Sequence, residues 1–367
     1  MIGLLSKNKR AHRLFDTMSS LGSHFAYLGT ARPNVVARLA ARVSSLHLDL
    51  NLTRIDAQFS PFQCNGLKRE CERSLMRAAG ITAVLYWGAM NQPTRCLPYF
   101  IISDGPFDPD DSSYPDEWVP KRWASNYLSR QRRVYGEAAH VFTLSEWAAE
   151  KIINVHGIQR EHITAVGWGP MHSSSGPTLS PPDGNYFVSI GSEWKRKGMD
   201  ILATAGALLH KSNPEWSVVL AGEPRGLQIK QLPGVTLIPQ EIPGEQAQHL
   251  ISNARALLVG SRFDASPHVI MEAFQAGTPV IASRVCGIPE VVTPGMGYLV
   301  EVGNAEGFAS AMRLCIHEDQ FAQRTRVYQQ YTEVLGGWES VARRIVSKLH
   351  EVIGLPDIYP SLAIQRG

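Results

Sequence analysis

Two acidic residues and a basic loop in the second half of the chain have types and spacings suited to binding a polar, anionic ligand. Asp264 and Glu272 are separated by seven residues, and the segment 191–198, GSEWKRKG, holds three cations between two glycines. A fixed carboxylate accepts strong hydrogen bonds from hydroxyl groups, and cations in front of a helix attract phosphate. The alternative is that the basic loop is a solvated surface loop, and that the two acids lie in an ordinary strand-helix-strand unit without binding a ligand.

The elements predicted around the two acids place them at one edge of a parallel sheet. The apolar run 256–259 predicts a buried strand, and residues 269–276 predict a helix that ends at a glycine. Asp264 therefore falls in the connecting loop and Glu272 in the helix, and a second strand follows at 278–282. Because open α/β sheets bind ligands at the carboxyl ends of their strands, we expect both acids to face one cleft.

The segment around these acids resembles the signature of retaining glycosyltransferases of family 4, which have the GT-B fold. In that signature, two acids separated by seven residues precede an AxxxGxPV segment, here Asp264, Glu272 and residues 273–280. The pattern VFTLSEWAAEKIINVHGI in the first half is similar to the end of the family's N-terminal domain. Two features depart from the family: the first acid is Asp instead of Glu, and Ser-Pro-His at 266–268 replaces the usual turn.

The resemblance implies roles for individual side chains. Lys197 aligns with the family's phosphate-binding lysine, and Arg196 is expected to replace the family's arginine, because Ser192 stands in that arginine's place. Glu272 would accept hydrogen bonds from the ribose hydroxyls of a donor. Asp264 would reach the transferred sugar and act as a catalytic residue.

Further residues complete the predicted site. Gly191 begins the phosphate loop, and His268 would meet the phosphate or the sugar from the start of a helix, unless it lies on the helix surface. Asp104 ends a predicted strand of the first half and is expected to be catalytic, while Ser103 stands where the family often has a histidine. Gly3, in the first strand, would allow close approach of the donor.

Length and segment order predict two domains. A chain of 367 residues is too long for a single hydrophobic core and suits two domains. With the resemblance, we expect an α/β architecture of the GT-B type, with two Rossmann-like doubly wound domains facing a cleft. The predicted parts are an acceptor domain at 1–170, a Pro- and Ser-rich linker at 171–184, a nucleotide-sugar-binding domain at 185–337 and, at 338–367, a helix returning to the first domain.

Composition narrows the classes of function and location. The net charge of +3 is too small to indicate nucleic acid, and five scattered cysteines without a CxxC pair indicate neither a disulfide framework nor a zinc site. With no signal peptide or membrane span evident, we expect a cytoplasmic protein. The first fifty residues carry seven cations against two acids, which predicts either a solvated helix face or peripheral contact with the anionic inner face of a membrane.

The acidic run Asp108-Pro109-Asp110 mimics a metal-binding DxD motif, but we interpret it as loop chemistry, because the cations of the 191–198 loop already supply positive charge. No cofactor is therefore expected. The resemblance implies a retaining, metal-independent hexosyltransferase that uses a nucleotide-diphosphate sugar and a saccharide or glycolipid acceptor, in cell-surface polysaccharide or glycolipid biosynthesis. The alternatives are a catalytically silent nucleotide-sugar-binding scaffold and a sugar epimerase or phosphorylase on the same fold.

Overall fold

A computed structural model of the chain shows two α/β domains, and each is built on a parallel sheet. The structure describes residues 1–6, 11–21, 25–30, 61–78, 80–88, 97–111, 121–172, 184–225 and 227–354. Within these ranges each domain has six strands, and every pair of neighbouring strands is parallel. The predicted α/β class with two doubly wound domains is confirmed.

The first domain alternates short apolar strands with helices. Its strands are β1 (Ile2–Ser6), β2 (Phe25–Thr30), β3 (Ala83–Trp87), β4 (Tyr99–Ser103), β5 (His140–Thr143) and β6 (Ile163–Ala165). Its helices are α1 (Ala11–Ser20), α2 (Pro61–Arg77), α3 (Lys121–Gly136) and α4 (Glu146–His156), and a 3-10 turn spans Arg160–His162. The strand order is β2-β1-β3-β4-β5-β6. All residues of β3 and β4 are buried, as expected when helices cover both faces of a parallel sheet.

The second domain repeats the alternation with a switch in the middle of its sheet. Its strands are β7 (Tyr186–Ile190), β8 (Ser217–Ala221), β9 (Val235–Ile238), β10 (Leu257–Val259), β11 (Val280–Ser283) and β12 (Gly297–Val300). Its helices are α5 (Met199–Ser212), α6 (Gly244–Asn253), α7 (His268–Gln275), α8 (Ile288–Val291), α9 (Ala305–His317) and α10 (Gln320–Gln330), with a π turn at Tyr331–Leu335. The order β12-β11-β10-β7-β8-β9 places the switch point between β7 and β10, where sheets of this kind bind ligands.

The last described helix, α11 (Gly337–Ile353), packs against α1 of the first domain. In this helix, the indole Nε1 of Trp338 donates to the Pro170 carbonyl at 2.7 Å. The Trp338 ring also stands edge-on to Trp87, with ring centroids 6.1 Å apart. Arg344 donates to the Val166 carbonyl at 3.0 Å. One buried apolar cluster therefore runs from the first sheet through α11 to α7 of the second domain.

Several sequence predictions fall partly or wholly outside the described residues. Of the predicted linker, residues 173–183 lie outside, as do residues 355–367 of the predicted C-terminal segment. Of the seven cations among the first fifty residues, only Arg13 lies inside, so the predicted membrane contact falls outside. No helix within the described ranges is both long and apolar enough to cross a membrane.

Gly3 of β1 lies against side chains of the first domain. A Cβ atom at Gly3 would lie 3.4 Å from Ile81 Cγ2 and would collide with the Leu28 side chain, so the space beside Gly3 is filled by core residues. The approach of a donor at Gly3 stays a prediction. The cysteines whose side chains are described, Cys71, Cys286 and Cys315, are free thiols.

Candidate active site

Two loops meet at the switch point of the second sheet: residues 191–198, which follow β7, and residues 260–267, which follow β10. Gly198 has φ 65°, and a Cβ atom there would overlap the Gly260 carbonyl. The Arg262 amide donates to the Arg196 carbonyl at 2.8 Å across the same junction. Since only glycine combines this conformation with this approach, Gly198 lets the two loops form one rigid unit.

The predicted phosphate-binding cations and the predicted catalytic acid lie together in this unit. Lys197 Nζ donates to Asp264 Oδ2, and Arg196 Nη1 lies 3.8 Å from Asp264 Oδ1. The side chains of Asp264, Arg196 and Lys197 are exposed by only 12 to 17%. Gly191 borders the Lys197 stem, where a Cβ atom would make ordinary contact at 3.5 Å. Partial burial reduces screening by water, so the charges act strongly on each other and on an incoming anion.

Arg196 is held in place by groups of the protein. Its Nε and Nη2 donate to Glu193 Oε2 at 2.9 and 2.6 Å, and its Nη1 donates to the Phe263 carbonyl at 2.9 Å. Glu193 adopts φ 58°, which is uncommon for a residue with a side chain. Glu193 was not predicted from the sequence, although an acid three residues before Arg196 in the same short loop indicates such a partner.

Glu272 lies in the second turn of α7 and is buried. Its Oε1 accepts hydrogen bonds from the amides of Met171 and His172 at 3.2 and 3.1 Å, and it lies 3.1 Å from His172 Nδ1. Burial raises the pKa of the Glu272 carboxyl above its ordinary value of 4.5, and the His172 contacts act in the opposite direction. The carboxylate thus meets the segment that passes between the domains, and its predicted ribose contact stays a prediction.

His268 is the first residue of α7, and the alternative of a helix-surface position is wrong. Its side chain is 8% exposed, its Nδ1 lies 2.7 Å from the Gly169 carbonyl, and its ring lies 5.7 Å from the Trp338 ring. The start of α7 is covered because both the passing segment and α11 lie over it. Contact of His268 with a donor stays a prediction.

In the first domain, Asp104 directly follows β4, at the carboxyl end of a strand as the sequence predicted, and its side chain is exposed. The preceding Ser103 is buried, and its Oγ lies 2.8 Å from the Tyr135 hydroxyl. Burial raises the pKa of Tyr135, and the hydrogen bond to Ser103 lowers it. Ser103 is therefore used by a core hydrogen bond, while Asp104 is left at the domain surface.

The acidic loop after β4 is tied to α4. Lys151 donates to Asp108 Oδ2 at 3.1 Å and to Asp111 Oδ2 at 2.7 Å, and the Asp110 amide donates to Asp108 Oδ1 at 3.1 Å. The hydrogen bond from the Asp110 amide to the Asp108 side chain is typical of turns that begin with Asp. In the part of the chain that the structure describes, no three Asp, Glu, His or Cys side chains converge as metal ligands.

Residues 173–332 match the model of the family described as glycosyl transferases group 1. The matched segment holds both loops of the switch point and both acids. The second domain is a glycosyl transferases group 1 domain. Most of the site described above therefore lies inside the group 1 domain, and Asp104 and the acidic loop lie in the domain that precedes it.

Solved structures extend this similarity to the fold of both domains, which is GT-B. Sucrose-phosphate synthase from Thermosynechococcus elongatus aligns with 96% of this chain and 99% of its own, with a TM-score of 0.65 and 16% identity. HepE from Anabaena, solved in complex with UDP, aligns with 95% of this chain and 99% of its own, with a TM-score of 0.63 and 14% identity.

Among curated relatives, the MMP alpha-(1->4)-mannosyltransferase of Mycolicibacterium hassiacum is 27% identical over 184 residues. The aligned part is 47% of this chain and 44% of that relative, so the chain spans less than half the length of this relative. In this alignment sequence similarity covers about half of the chain, whereas similarity of fold covers both domains.

Contacts between the group 1 domain and the first domain include Glu290, for which the sequence predicted no role. Glu290 accepts hydrogen bonds from the amides of Glu146 and Trp147 in α4, and Trp147 stands edge-on to Phe263, next to Asp264. Nothing in the local sequence pairs Glu290 with a helix more than a hundred residues earlier, so these contacts required the structure.

Proposed function

We propose that this chain is a retaining glycosyltransferase that moves a hexose from a nucleotide-diphosphate sugar to an acceptor hydroxyl without a metal ion. The observation that carries the proposal is the convergence of Lys197 and Arg196 on Asp264 at the switch point of the group 1 domain. The leaving nucleoside diphosphate gains negative charge as its bond to the sugar breaks. Cations already fixed at that point stabilise this charge.

The donor would be positioned by both loops and by α7. The diphosphate would take Lys197 as a partner, and Asp264 would then hydrogen-bond the transferred sugar next to it. Glu272 would accept hydrogen bonds from the ribose, a task for an ionised carboxylate. His268 and Gly191 would border the phosphates from the start of α7 and from the end of β7.

In the proposed reaction, the bond between the anomeric carbon and the diphosphate oxygen breaks, and its electron pair leaves with the diphosphate. The sugar passes through an oxocarbenium-like transition state, as in glycoside hydrolysis. The acceptor hydroxyl oxygen forms the new bond on the face that the diphosphate leaves, and its proton passes to a departing phosphate oxygen. Asp264, and Asp104 from the first domain, would stabilise the positive charge on the sugar.

We extend the proposal to the donor, the acceptor and the setting. HepE was solved with UDP, and the curated relative is a mannosyltransferase, which supports a nucleotide-linked hexose as the donor. We propose a saccharide or glycolipid acceptor at the first domain, and a role in cell-surface polysaccharide or glycolipid biosynthesis.

The test is an assay of the full chain with a panel of UDP-, GDP- and ADP-linked hexoses in the presence of chelator. We expect at least one donor to release its nucleoside diphosphate, and proton NMR of the glycoside formed on a sugar acceptor to show the donor's anomeric configuration. Added Mg²⁺ should leave the rate unchanged. Inversion would overturn the retaining assignment, and dependence on Mg²⁺ would overturn the metal-free one. A panel without any turnover would contradict the proposed activity.

A further inference from the structure

A carboxylate of the second domain caps a helix of the first. Glu290, in α8, accepts a hydrogen bond from the Glu146 amide on Oε2 at 2.8 Å and from the Trp147 amide on Oε1 at 2.7 Å. Each carboxylate oxygen thus meets one of two consecutive amides. Hydrogen bonds of this charge-assisted kind are stronger than those between neutral groups.

The amides that Glu290 meets are ones that α4 cannot satisfy by itself. The first four N–H groups of a helix have no partner within the helix. Ser145, the N-cap residue, accepts the Ala148 amide on Oγ at 3.1 Å, and Glu290 takes the two amides before it. The negative charge also lies at the positive end of the helix dipole. When the domains part, water would replace these bonds, so the contact suits a reversible closure.

The same junction touches the loops of both predicted catalytic acids. The Trp147 ring stands edge-on to Phe263, with centroids 5.8 Å apart, and Phe263 directly precedes Asp264. On the first domain, a Cβ atom at Gly105 would lie 3.3 Å from the same indole, and Gly105 directly follows Asp104. Trp147 is therefore a common neighbour of the two loops, and Glu290 fixes its backbone.

The chain around Glu290 is shaped for close approach. A Cβ atom at Gly287 would lie 2.8 Å from Ser145 Cβ, closer than real side-chain contacts, so a glycine lets the turn before α8 reach the N-cap residue of α4. The turn and the helix thus meet at the Ser145 side chain and at the Glu290 carboxylate.

From this geometry we propose that Glu290 is a positioning residue: its carboxylate latches the two domains in the arrangement that brings the loop of Asp264 to the loop of Asp104. The inference rests on the proposed transferase function and adds a residue that acts on turnover without touching the donor. Donor affinity, which is supplied by the second domain, should not depend on this latch.

The experiment compares Glu290→Ala and Glu290→Gln with Glu301→Ala in the full chain. Glu301 is a matched control, because it is an exposed acid paired to Arg284 at 3.1 Å within the second domain. Hydrogen exchange of the peptide that covers the first turn of α4, turnover of a nucleotide sugar, and affinity for its nucleoside diphosphate are measured on each variant.

We expect Glu290→Ala to speed hydrogen exchange at the first turn of α4 and to lower turnover roughly tenfold. A tenfold loss of rate corresponds to an activation free energy that is higher by about 1.4 kcal/mol. Its affinity for the nucleoside diphosphate should stay within about twofold of the parent, because the donor loops are intact. Glu290→Gln keeps an oxygen that accepts one amide, so its exchange and turnover should fall between those of parent and Ala variant. Glu301→Ala should match the parent.

The proposal is overturned if Glu290→Ala behaves like Glu301→Ala, or if exchange rises while turnover stays unchanged. An equal loss of nucleotide affinity and turnover would also overturn it, since Glu290 would then serve the fold of the second domain. If the parent turns over no donor, the transferase function fails. The exchange measurement still decides, independently, whether Glu290 holds α4.

Discussion

At the scale of single residues, the central feature is an ion pair between the predicted phosphate-binding lysine and the predicted sugar-contacting acid. Lys197 and Asp264 come from loops separated by more than sixty residues, and each supplies the charge that the other lacks. On the proposed function, a diphosphate donor would bring negative charge to Lys197 and hydroxyl groups to Asp264. On the proposed function, the pair would exchange its internal contact for two contacts with one donor.

Asp264→Asn should separate binding from chemistry. We expect affinity for the free nucleoside diphosphate to stay within about threefold of the parent while turnover falls at least about tenfold, because a group that acts mainly in the transition state affects kcat more than binding. Calorimetric titration and a rate assay measure the two quantities. Retained turnover would show that Asp264 does not act on the sugar, and would favour a structural role in holding Lys197.

Glu272 should give nucleotide binding a pH dependence. Its pKa is raised above 4.5 by burial, so the carboxylate that would accept the ribose hydroxyls is lost at a higher pH than for an ordinary glutamate. As pH falls through this raised pKa, affinity should fall. The contribution of Glu272 to folding stability should rise in the same window, because the folded state binds the proton more tightly than the unfolded state.

Titrations of the nucleoside diphosphate at a series of pH values check this expectation. Glu272→Gln serves as the control, because it removes the titrating group and keeps a hydrogen-bonding side chain of similar size. Subtracting its profile also removes the titration of the ligand's own phosphates. Identical profiles for parent and Gln variant would contradict the ribose assignment.

At the scale of elements, the two loops of the switch point act as one unit because glycine permits their approach. Apolar runs in the sequence predict strands at 83–87, 140–143, 186–190, 217–221 and 235–238, and these are the bounds of β3, β5, β7, β8 and β9. Serine is a residue type that caps helices, and Ser145 caps α4. Local patterns of apolar residues, glycines and caps decide such elements. The order of the strands in the sheet decides which loops touch, and short sequence patterns do not predict that order.

Gly198→Ala should destabilise this unit. The residue has φ 65°, and the added Cβ would overlap the Gly260 carbonyl, so we expect a loss of more than about 1 kcal/mol in unfolding free energy. Affinity for the nucleoside diphosphate should fall as well, because both loops must shift. Denaturant unfolding and calorimetric titration measure the two effects.

Gly303→Ala is the matched control for that change. Gly303 has φ 84°, and a Cβ atom there would meet nothing within 4 Å, so it carries the conformational cost without the collision. If both variants lose the same stability and Gly198→Ala binds nucleotide like the parent, then the close approach of the two loops does not matter for the site.

At the scale of the whole molecule, the two domains are joined by α11, by the segment before residue 173 and by Glu290. Trp338 lies at the centre of the first two: its ring meets Trp87 and His268, and its Nε1 bonds the Pro170 carbonyl. The sequence predicted a helix in the segment 338–367, and the helix that the structure describes there spans Gly337–Ile353. The neighbours of Trp338 and the burial of His268 depend on how the two sheets sit against each other, which no local pattern encodes.

Trp338→Ala should uncouple the domains. The substitution removes a buried ring, and a loss of about 3–5 kcal/mol is typical of such a change. We expect one unfolding transition in calorimetry to become two, one for each domain. Trp338→Phe keeps a ring against Trp87 and should retain a single transition. A single transition in the Ala variant would show that other contacts couple the domains.

The most direct test of the central claim is the affinity for nucleoside diphosphates of the parent, Lys197→Met and Lys195→Met. Both variants remove one lysine from the same loop, but Lys195 is exposed while Lys197 meets Asp264. A charge-assisted contact contributes about 1.5–3 kcal/mol, so Lys197→Met should bind at least about tenfold more weakly than the parent. Lys195→Met should stay within about twofold of the parent, since exposed charges contribute little. Equal losses in the two variants, or a parent that binds no nucleoside diphosphate, would contradict a donor site at this loop.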